Sequence, residues 1–227
     1  MPEITKLYEQ TLQNNKAVDP AMLDQINKDI TRTYSNKKYF NDIKGKQGYE
    51  KLQRLLITIS TIKGISYTQG MNFIAASLLW HCDEDIAFYI IKELFERLDV
   101  YGNYKADLSG ILYHVDKFFG TYLRLNNRRV YDNLVSKDIL PQMIIPEWFV
   151  TLGMSMVPLT HHIDIIFMLT HHGWVYLYTV IKNYLEYLYN YYEHTDFSET
   201  MGIIKNCMVP GGTKISIQWN RILETIN

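Results

Sequence analysis

The sequence is poor in cysteine, and this scarcity limits the structures that the chain can form. Cys82 and Cys207 are the only cysteines among 227 residues. Two cysteines so far apart provide neither a disulfide framework nor the CxxC spacing of a zinc site. We therefore expect a reduced, intracellular protein.

The chain also lacks an excess of charge of either sign. It has 23 lysines and arginines against 24 aspartates and glutamates, a net charge of −1. Proteins that bind nucleic acids by neutralising phosphates usually show a clear basic excess. We therefore expect no nucleic-acid partner, and we interpret the small basic cluster at 127–129 as a solvated helix face.

Long apolar segments are missing as well. The longest apolar runs fall short of the roughly 18 residues that a transmembrane helix needs. The first residues, Met1 to Lys6, lack the basic-then-apolar pattern of a signal peptide. We expect a soluble chain without a transmembrane segment, which reaches membranes only through partners.

Proline is absent between Pro20 and Pro141, and strict period-two alternation of apolar residues is absent throughout. A long stretch without proline suits consecutive helices, whereas half-buried strands would show the alternation. The sequence therefore predicts an all-α fold. No linker or internal repeat divides it, so we expect one multi-helix domain over residues 1–227, with N-terminal and C-terminal helical lobes.

Apolar residues recur at three- and four-residue spacing along most of the chain. Asp19-Pro20 is typical of a helix start, with aspartate as N-cap and proline at the first position. Helices are predicted at about 20–30, 48–63, 73–80, 83–98, 109–126, 160–171 and 174–192, with a short helix at 197–204 and a last amphipathic helix at 215–226. A loop is predicted at 99–107.

A polar turn precedes the most apolar of these helices. Tyr67, Gln69, Gly70 and Asn72 lie directly before residues 73–80, which are apolar on nearly every side. A helix that is apolar all round belongs in the core. The turn is therefore fixed to a rigid element, where precise sites are best placed, and Gly70 allows a backbone or ligand to approach closely.

Other candidate sites are weaker. Histidines at 161, 162, 171 and 172, with Asp164, are residue types that bind metals, but the HExxH pattern is missing, so polar or capping roles are the better interpretation. The segment 210–214 lacks the spacing of a phosphate-binding loop, no nucleophile elbow supports a catalytic triad, and the tyrosines at 184–192 are typical of packing. We expect no metal site.

A charged pair stands near the end of the first strong helix. Asp29 and Arg32 are three residues apart, so they can form an ion pair on the helix surface. Taken alone, the pair is a local contact worth a few tenths of a kcal/mol.

Together, these two segments resemble a known family. Ile26-x-x-Asp29-x-x-Arg32 and Tyr67-x-Gln69-Gly70-Met71-Asn72 are similar to the two motifs of the TBC domain, the catalytic module of GTPase-activating proteins for Rab-family small GTPases. The resemblance continues weakly through 47–52, 148–152 and 173–174, and so covers most of the chain.

The resemblance implies a mechanism. Arg32 would be an arginine finger and Gln69 a glutamine finger, both inserted in trans into the active site of a GTP-bound Rab. The protein would be an enzyme activator with no cofactor of its own, because GTP and Mg²⁺ are carried by the Rab. A cytoplasmic location, with recruitment to endomembranes, would follow.

The family also implies supporting roles for Asp29, Tyr67, Gly70 and Asn72. Asp29 would fix the turn that aims Arg32, and Tyr67 would pack and hydrogen-bond between the two finger loops. Gly70 would permit close approach, and Asn72 would tie the turn to the helix start.

The sequence departs from the family pattern at three places. Nothing before Leu7 matches the family's first helix, so we expect a divergent or trimmed N-terminus. The continuation R-T-F-P reads Arg32-Thr33-Tyr34-Ser35, and the I-W-D signature aligns with Ile165-Ile166-Phe167.

Two alternatives stay open at this point. The chain could be a catalytically silent Rab-binding or scaffolding module on the same fold, although keeping both Arg32 and Gln69 favours activity. It could also be a helical interaction domain that resembles the family by chance, which predicts that Arg32 and Gln69 lie far apart.

Overall fold

The computed structural model describes residues 2–13, 19–41, 47–62, 65–100, 104 and 109–224. Most of these residues are helical, and none of them belongs to a β-strand. An isolated antiparallel bridge joins Met208 to Lys214. The predicted all-α fold is confirmed.

Fourteen α-helices and a π-helical segment lie within the described residues. In the N-terminal half they are α1 (Pro2–Gln13), α2 (Pro20–Arg32), α3 (Lys38–Asn41), α4 (Gln47–Ser60), α5 (Met71–His81) and α6 (Glu84–Arg97). In the C-terminal half they are α7 (Ser109–Lys117), the π-helical segment Phe118–Leu123, α8 (Arg124–Asn126), α9 (Arg128–Ser136), α10 (Pro146–Val150), α11 (His162–His172), α12 (Trp174–Tyr192), α13 (Phe197–Asn206) and α14 (Trp219–Leu223).

The helices form two groups that share a boundary. In the first group, α5 packs against α2, α4 and α6, and α1 packs against α6. In the second group, α12 packs against α10, α11, α13, α14 and the π-helical segment. Helix α11 also contacts α5 and α6, so it joins the two groups.

Helix α5 lies in the core, as its composition predicts. Eight of its eleven residues are buried, including the polar Asn72 and Ser77. Because apolar side chains leave this helix in all directions, it can be covered on all sides by neighbouring helices. The polar turn before it is thereby held on a rigid support.

Helix α2 begins and ends at residues that the sequence indicates. The Asp19 side chain accepts a hydrogen bond from the Ala21 amide, 3.3 Å away, and Pro20 is the first helical residue. Ile26 and Ile30 are buried, so one face of the helix is fixed to the core. The helix ends at Arg32, since Thr33 is already extended.

The N-terminal helix is fixed by a buried carboxylate. Glu84, at the start of α6, accepts hydrogen bonds from Arg54 of α4 through Nε at 2.8 Å and Nη2 at 2.5 Å, and from the Tyr8 hydroxyl of α1. Burial and the neighbouring Glu84 raise the pKa of Tyr8, which keeps its hydroxyl protonated as a donor. Three helices are thereby joined at one point.

The C-terminal end differs from the sequence prediction. The helix predicted at 215–226 is wrong in its first part, because α14 covers only Trp219–Leu223. Cys207 ends α13 in the left-handed conformation with φ 52°, and the Ile215 amide donates to the Cys207 carbonyl at 2.6 Å. Ile215 is buried in the non-helical return segment at 214–218. Ile226 lies outside the described residues.

Three further sequence features have the following outcomes. The predicted loop at 99–107 falls largely outside the described residues. At the departure from the family signature, Ile165 and Ile166 are buried and Phe167 is exposed. Within the described ranges, no helix is both long and apolar enough to cross a membrane.

Candidate functional site

Arg32 stands at the last position of α2, where the helix reaches the surface. Its side chain is 52% exposed and forms an ion pair through Nη2 with Oδ1 of Asp29, one turn earlier. Asp29 itself is completely buried. The pair therefore differs from the exposed contact expected from spacing alone, because its carboxylate is out of water and depends on protein donors.

The Asp29 carboxylate is well supplied with such donors. Besides Arg32, the Gln25 side-chain amide donates to Oδ1 at 3.1 Å and the Tyr67 hydroxyl donates to Oδ2 at 2.7 Å. Hydrogen bonds to an ionised acceptor are about twice as strong as neutral ones. The buried charge is thus satisfied from three sides, and it fixes one end of the guanidinium.

Tyr67 connects the segment around Arg32, residues 29–33 (the arginine segment), to the turn before α5. It is half-buried, and its bond to Asp29 spans 38 residues of sequence. Burial, followed by the hydrogen bond to Asp29 and the charge of that carboxylate, raises the pKa of Tyr67. The phenol therefore stays protonated and donates to Asp29 across the whole physiological pH range.

Gly70 makes the turn possible. Its φ of 114° lies in a region that favours glycine. A Cβ at this position would lie 2.3 Å from Cγ1 of Val150 on α10, closer than two carbon atoms can come. The close approach expected from the sequence is thus an approach of Val150.

Asn72 and Thr33 form a second connection between the same two segments. Oδ1 of Asn72 accepts from the Gly70 amide at 2.9 Å, and Nδ2 donates to Thr33 Oγ1 at 2.7 Å. The Thr33 hydroxyl in turn donates to the Asp29 carbonyl at 2.6 Å. Both Asn72 and Thr33 are completely buried.

Thr33 is a site residue that the sequence predictions omit. It follows Arg32 directly, but threonine is common at helix ends and does not by itself indicate a functional site. The local sequence also does not reveal its partner Asn72, 39 residues away. Tyr34 is omitted for the same reason. It has φ 42°, and its hydroxyl donates to the Met154 carbonyl at 2.8 Å.

Gln69 sits at the tip of the turn. Its side chain is exposed, and no residue in the described part of the chain forms a hydrogen bond with its carboxamide. Arg32 is similarly available, because its bond to Asp29 uses one of its nitrogens, Nη2. The structure thus presents a guanidinium and a carboxamide from two segments that are joined underneath by buried hydrogen bonds.

A cavity of about 800 Å³ adjoins this site on the side of Tyr34. It separates the segment after α2 from the return segment near α14, and its walls include Lys37, Lys205 and Lys214. No carboxylate occurs among its described lining residues. The surface beside the arginine segment is therefore locally positive in a chain with almost no net charge.

The histidines singled out in the sequence have other partners. His162 is buried, with Nδ1 at 2.8 Å from Ser77 Oγ and Nε2 at 2.8 Å from the Val157 carbonyl. Burial lowers the pKa of His162 to about 4, so the ring is neutral at physiological pH. Over the described ranges, no group of three or more His, Cys, Asp or Glu is arranged to hold a metal ion.

Comparison with known proteins gives a family match over most of the chain. A family model described as Rab-GTPase-TBC domain matches residues 2–192. This range includes every residue of the polar network described above. The alternative of a chance resemblance is therefore excluded. The segments at 29–33 and 67–72 are also joined by hydrogen bonds.

Individual relatives match over shorter segments. TBC1 domain family member 4 of Mus musculus is 31% identical over 147 residues, which is 62% of this chain and 11% of the mouse protein. GTPase-activating protein gyp2 of Schizosaccharomyces pombe is 28% identical over 57% of this chain and 17% of its own length. The chain thus matches only a small part of the length of these relatives.

A solved structure matches the fold over nearly the whole chain. The crystal structure of the Ypt/Rab-GAP domain of Gyp1p superposes with a TM-score of 0.76, covering 98% of this chain and 77% of that one. The sequence identity is 17%, so this match supports the fold alone.

Proposed function

This chain belongs to the Rab-GTPase-TBC domain family, and we propose that it stimulates GTP hydrolysis by a Rab-family small GTPase. In this proposal the chain is an activator that supplies two side chains in trans. The GTPase brings the GTP and the Mg²⁺, and this chain needs no cofactor of its own. The partner is the GTP-bound state, because only that state has a γ-phosphate to transfer.

The proposal rests on the hydrogen-bonded connection between the two finger segments, which are residues 29–33 and residues 67–72. Arg32 and Gln69 are 37 positions apart in sequence, yet Asp29 is bonded to Tyr67 and Thr33 is bonded to Asn72. Because the two segments are connected, Arg32 and Gln69 can enter the active site of the GTPase together at a fixed spacing. Catalysis by positioning loses much of its effect when groups are misplaced by about 1 Å.

Arg32 has the chemistry for the first task. In phosphoryl transfer, charge spreads over the equatorial oxygens of the γ-phosphoryl group. A guanidinium is permanently charged and carries five donors in a planar fork. Because Asp29 holds Nη2, the remaining donors can face a phosphate while the side chain stays oriented.

Gln69 has the chemistry for the second task. A carboxamide accepts through its oxygen and donates through its nitrogen, so it can hold the attacking water in line and contact the phosphate at once. Its role would replace that of the glutamine that some GTPases use for this purpose. The positive φ of Gly70 and the Asn72 bond set the direction in which Gln69 leaves the turn.

The test is a hydrolysis assay with a panel of GTP-loaded Rab proteins and catalytic amounts of this chain. We expect faster GTP hydrolysis by at least one Rab with the wild type, and no acceleration with Arg32→Ala or Gln69→Ala. Thermal unfolding of each variant serves as the control for folding. Lys28→Ala is a matched control on the same helix, because its exposed pair with Asp24 is outside the network.

The same assay decides between activity and scaffolding. If Rab proteins bind the wild type but hydrolyse GTP at their intrinsic rates, the chain is a binding module and the proposal is wrong. We further propose a cytoplasmic location with recruitment to endomembranes, where its GTPase partners reside. Imaging of the tagged full-length protein tests this location.

A further inference from the structure

The Thr33 hydroxyl is a buried point at which the two finger segments meet. It is completely buried. It donates to the Asp29 carbonyl at 2.6 Å and accepts from the Asn72 amide at 2.7 Å. One atom therefore takes part in a bond to each segment.

A hydroxyl is suited to this position because it donates and accepts at the same time. A methyl group of the same size can do neither. Since the site is closed to solvent, no water replaces the lost partner, and a buried donor and acceptor would stay unsatisfied. The geometry is thus sensitive to the loss of a single oxygen atom.

The consequence reaches Gln69 through Asn72. The Asn72 carboxamide is held at both ends, by Thr33 at Nδ2 and by the Gly70 amide at Oδ1. When Nδ2 loses its acceptor, the carboxamide can rotate, and the Gly70 amide then loses its own acceptor. Gly70 follows Gln69 directly, so the turn that presents the carboxamide loosens.

We propose that Thr33 is a positioning residue that couples the arginine segment to the glutamine turn and keeps them at one fixed spacing. Tyr67 makes the other connection, at the half-buried edge of the site, whereas Thr33 makes the connection to the backbone of the turn. The expected effect on stimulated hydrolysis rests on the proposed function. The expected effect on the Gly70 amide does not.

The first experiment measures stimulated hydrolysis by Thr33→Val, Thr33→Ser and a control. Thr33→Val should lower kcat about 10- to 100-fold with an unchanged KM, because the fingers are misplaced while the docking surface is intact. Because Thr33→Ser keeps a hydroxyl that can both donate and accept, its kcat should stay within about 3-fold of the wild-type value.

Thr58→Val is the matched control. Thr58 is also completely buried, and its hydroxyl donates to the Arg54 carbonyl four residues earlier at 2.7 Å, as Thr33 does to Asp29. It lies on α4, outside the two finger segments. If Thr58→Val lowers kcat as much as Thr33→Val does, the effect is general and the proposal is wrong.

The second experiment measures amide hydrogen exchange at Gly70, which needs no GTPase. Thr33→Val should speed this exchange at least several-fold, whereas Thr33→Ser and Thr58→Val should not. Unchanged exchange at Gly70 in Thr33→Val overturns the coupling. Should Thr33→Val not fold, Thr33→Cys replaces it. A thiol forms weaker hydrogen bonds than a hydroxyl, so the Gly70 amide should exchange faster in Thr33→Cys than in the wild type. A rate like that of the wild type overturns the coupling.

The two experiments separate this inference from the proposed function. If the wild type stimulates no GTPase, the proposed function and the catalytic part of the inference fail together. The exchange at Gly70 then decides the coupling by itself: faster exchange in Thr33→Val supports it, and unchanged exchange refutes it.

Discussion

The polar network around Asp29 and the aromatic core around α12 are held together by different forces. In the network, directional hydrogen bonds connect a few residues, and two exposed side chains stand above them. Around α12, large rings fill space against each other, for example Tyr184 stacked on Trp219 with centroids 5.9 Å apart. The first arrangement depends on single atoms and the second on total packed volume.

Because the forces differ, we expect substitutions in the two regions to affect activity and stability differently. Changes at Arg32 and Gln69 should alter activity more than stability, because both side chains lie at the surface and bury little area. Changes around α12 should alter stability more than activity.

Arg32→Lys should show the largest effect on activity. It keeps the charge but loses the planar fork, so it cannot hold Asp29 and face a phosphate at once. Arginine fingers contribute about 10³–10⁵ in rate in well-studied GTPases, which is roughly 4–7 kcal/mol of barrier. We expect most of this stimulation to be lost in a hydrolysis assay, with little change in thermal unfolding; a Lys variant with near wild-type activity would contradict the finger role.

Tyr192→Ala should show the largest effect on stability. Tyr192 is completely buried at the end of α12, packs on Tyr189 with centroids 5.5 Å apart, and donates to the Leu185 carbonyl at 2.9 Å. Truncating a buried aromatic side chain costs about 3–5 kcal/mol. Denaturant unfolding should show this loss.

Tyr192→Phe is the matched variant for the packing argument. It removes only the hydroxyl, and the Leu185 carbonyl keeps its hydrogen bond within α12, so the loss should be about 0.5–1.5 kcal/mol. Folded samples of both variants should stimulate hydrolysis as the wild type does. If Tyr192→Phe were as destabilising as Tyr192→Ala, hydrogen bonding and not packed volume would dominate this region as well.

Gly70→Ala tests whether the network also resists a backbone change. The positive φ and the contact with Val150 should together cost about 1–3 kcal/mol of stability, and the displaced Gln69 should lower the stimulated rate. Gly202→Ala is the control, since Gly202 lies within α13 with nothing near its Cβ position and should gain about 0.5–1 kcal/mol. Calorimetry measures both.

The chain should also lose stability in mild acid, with no change of sequence. Burial lowers the pKa of both His114 and His162 to about 4 in the folded state, against about 6.5 when unfolded. The unfolded chain therefore binds more protons between pH 6.5 and 4, so the stability is fully present above pH 6.5 and falls as the pH decreases.

The expected slope is up to about 1.4 kcal/mol per pH unit for each histidine. Denaturant unfolding at pH 4.5 to 7.5 measures it, and His162→Gln should reduce it. His171→Gln is the control, because it removes an exposed imidazole and leaves both buried rings in place. An equal slope in the wild type and His162→Gln would show that this ring is not the origin.

Local pattern was sufficient to predict much of the fold. The buried position of α5 follows from its apolar composition, and the start of α2 follows from Asp19-Pro20. The two finger candidates came from a resemblance, and their catalytic roles stay predictions. The supporting roles of Asp29, Tyr67 and Asn72 stay predictions too, although each of these residues lies in the network.

Other features depend on contacts that sequence spacing does not reveal. Thr33 acquires its partner only when α5 packs beside α2, and the clash at Gly70 involves Val150 from a distant helix. The predicted helix at 215–226 is wrong in its first part, because residues 215–218 precede α14 and the Ile215 amide donates to the Cys207 carbonyl. Apolar spacing cannot distinguish a helix from a buried non-helical segment over so few residues.

In the proposed function, Arg32 and Gln69 act together on the transition state of GTP hydrolysis. The most direct measurement is the affinity of this chain for GDP-loaded Rab with and without aluminium fluoride, which mimics the transferring phosphoryl group. We predict tight binding only with aluminium fluoride, lost in both Arg32→Ala and Gln69→Ala. Affinity that does not depend on aluminium fluoride, or that survives in both variants, would contradict this joint role of Arg32 and Gln69.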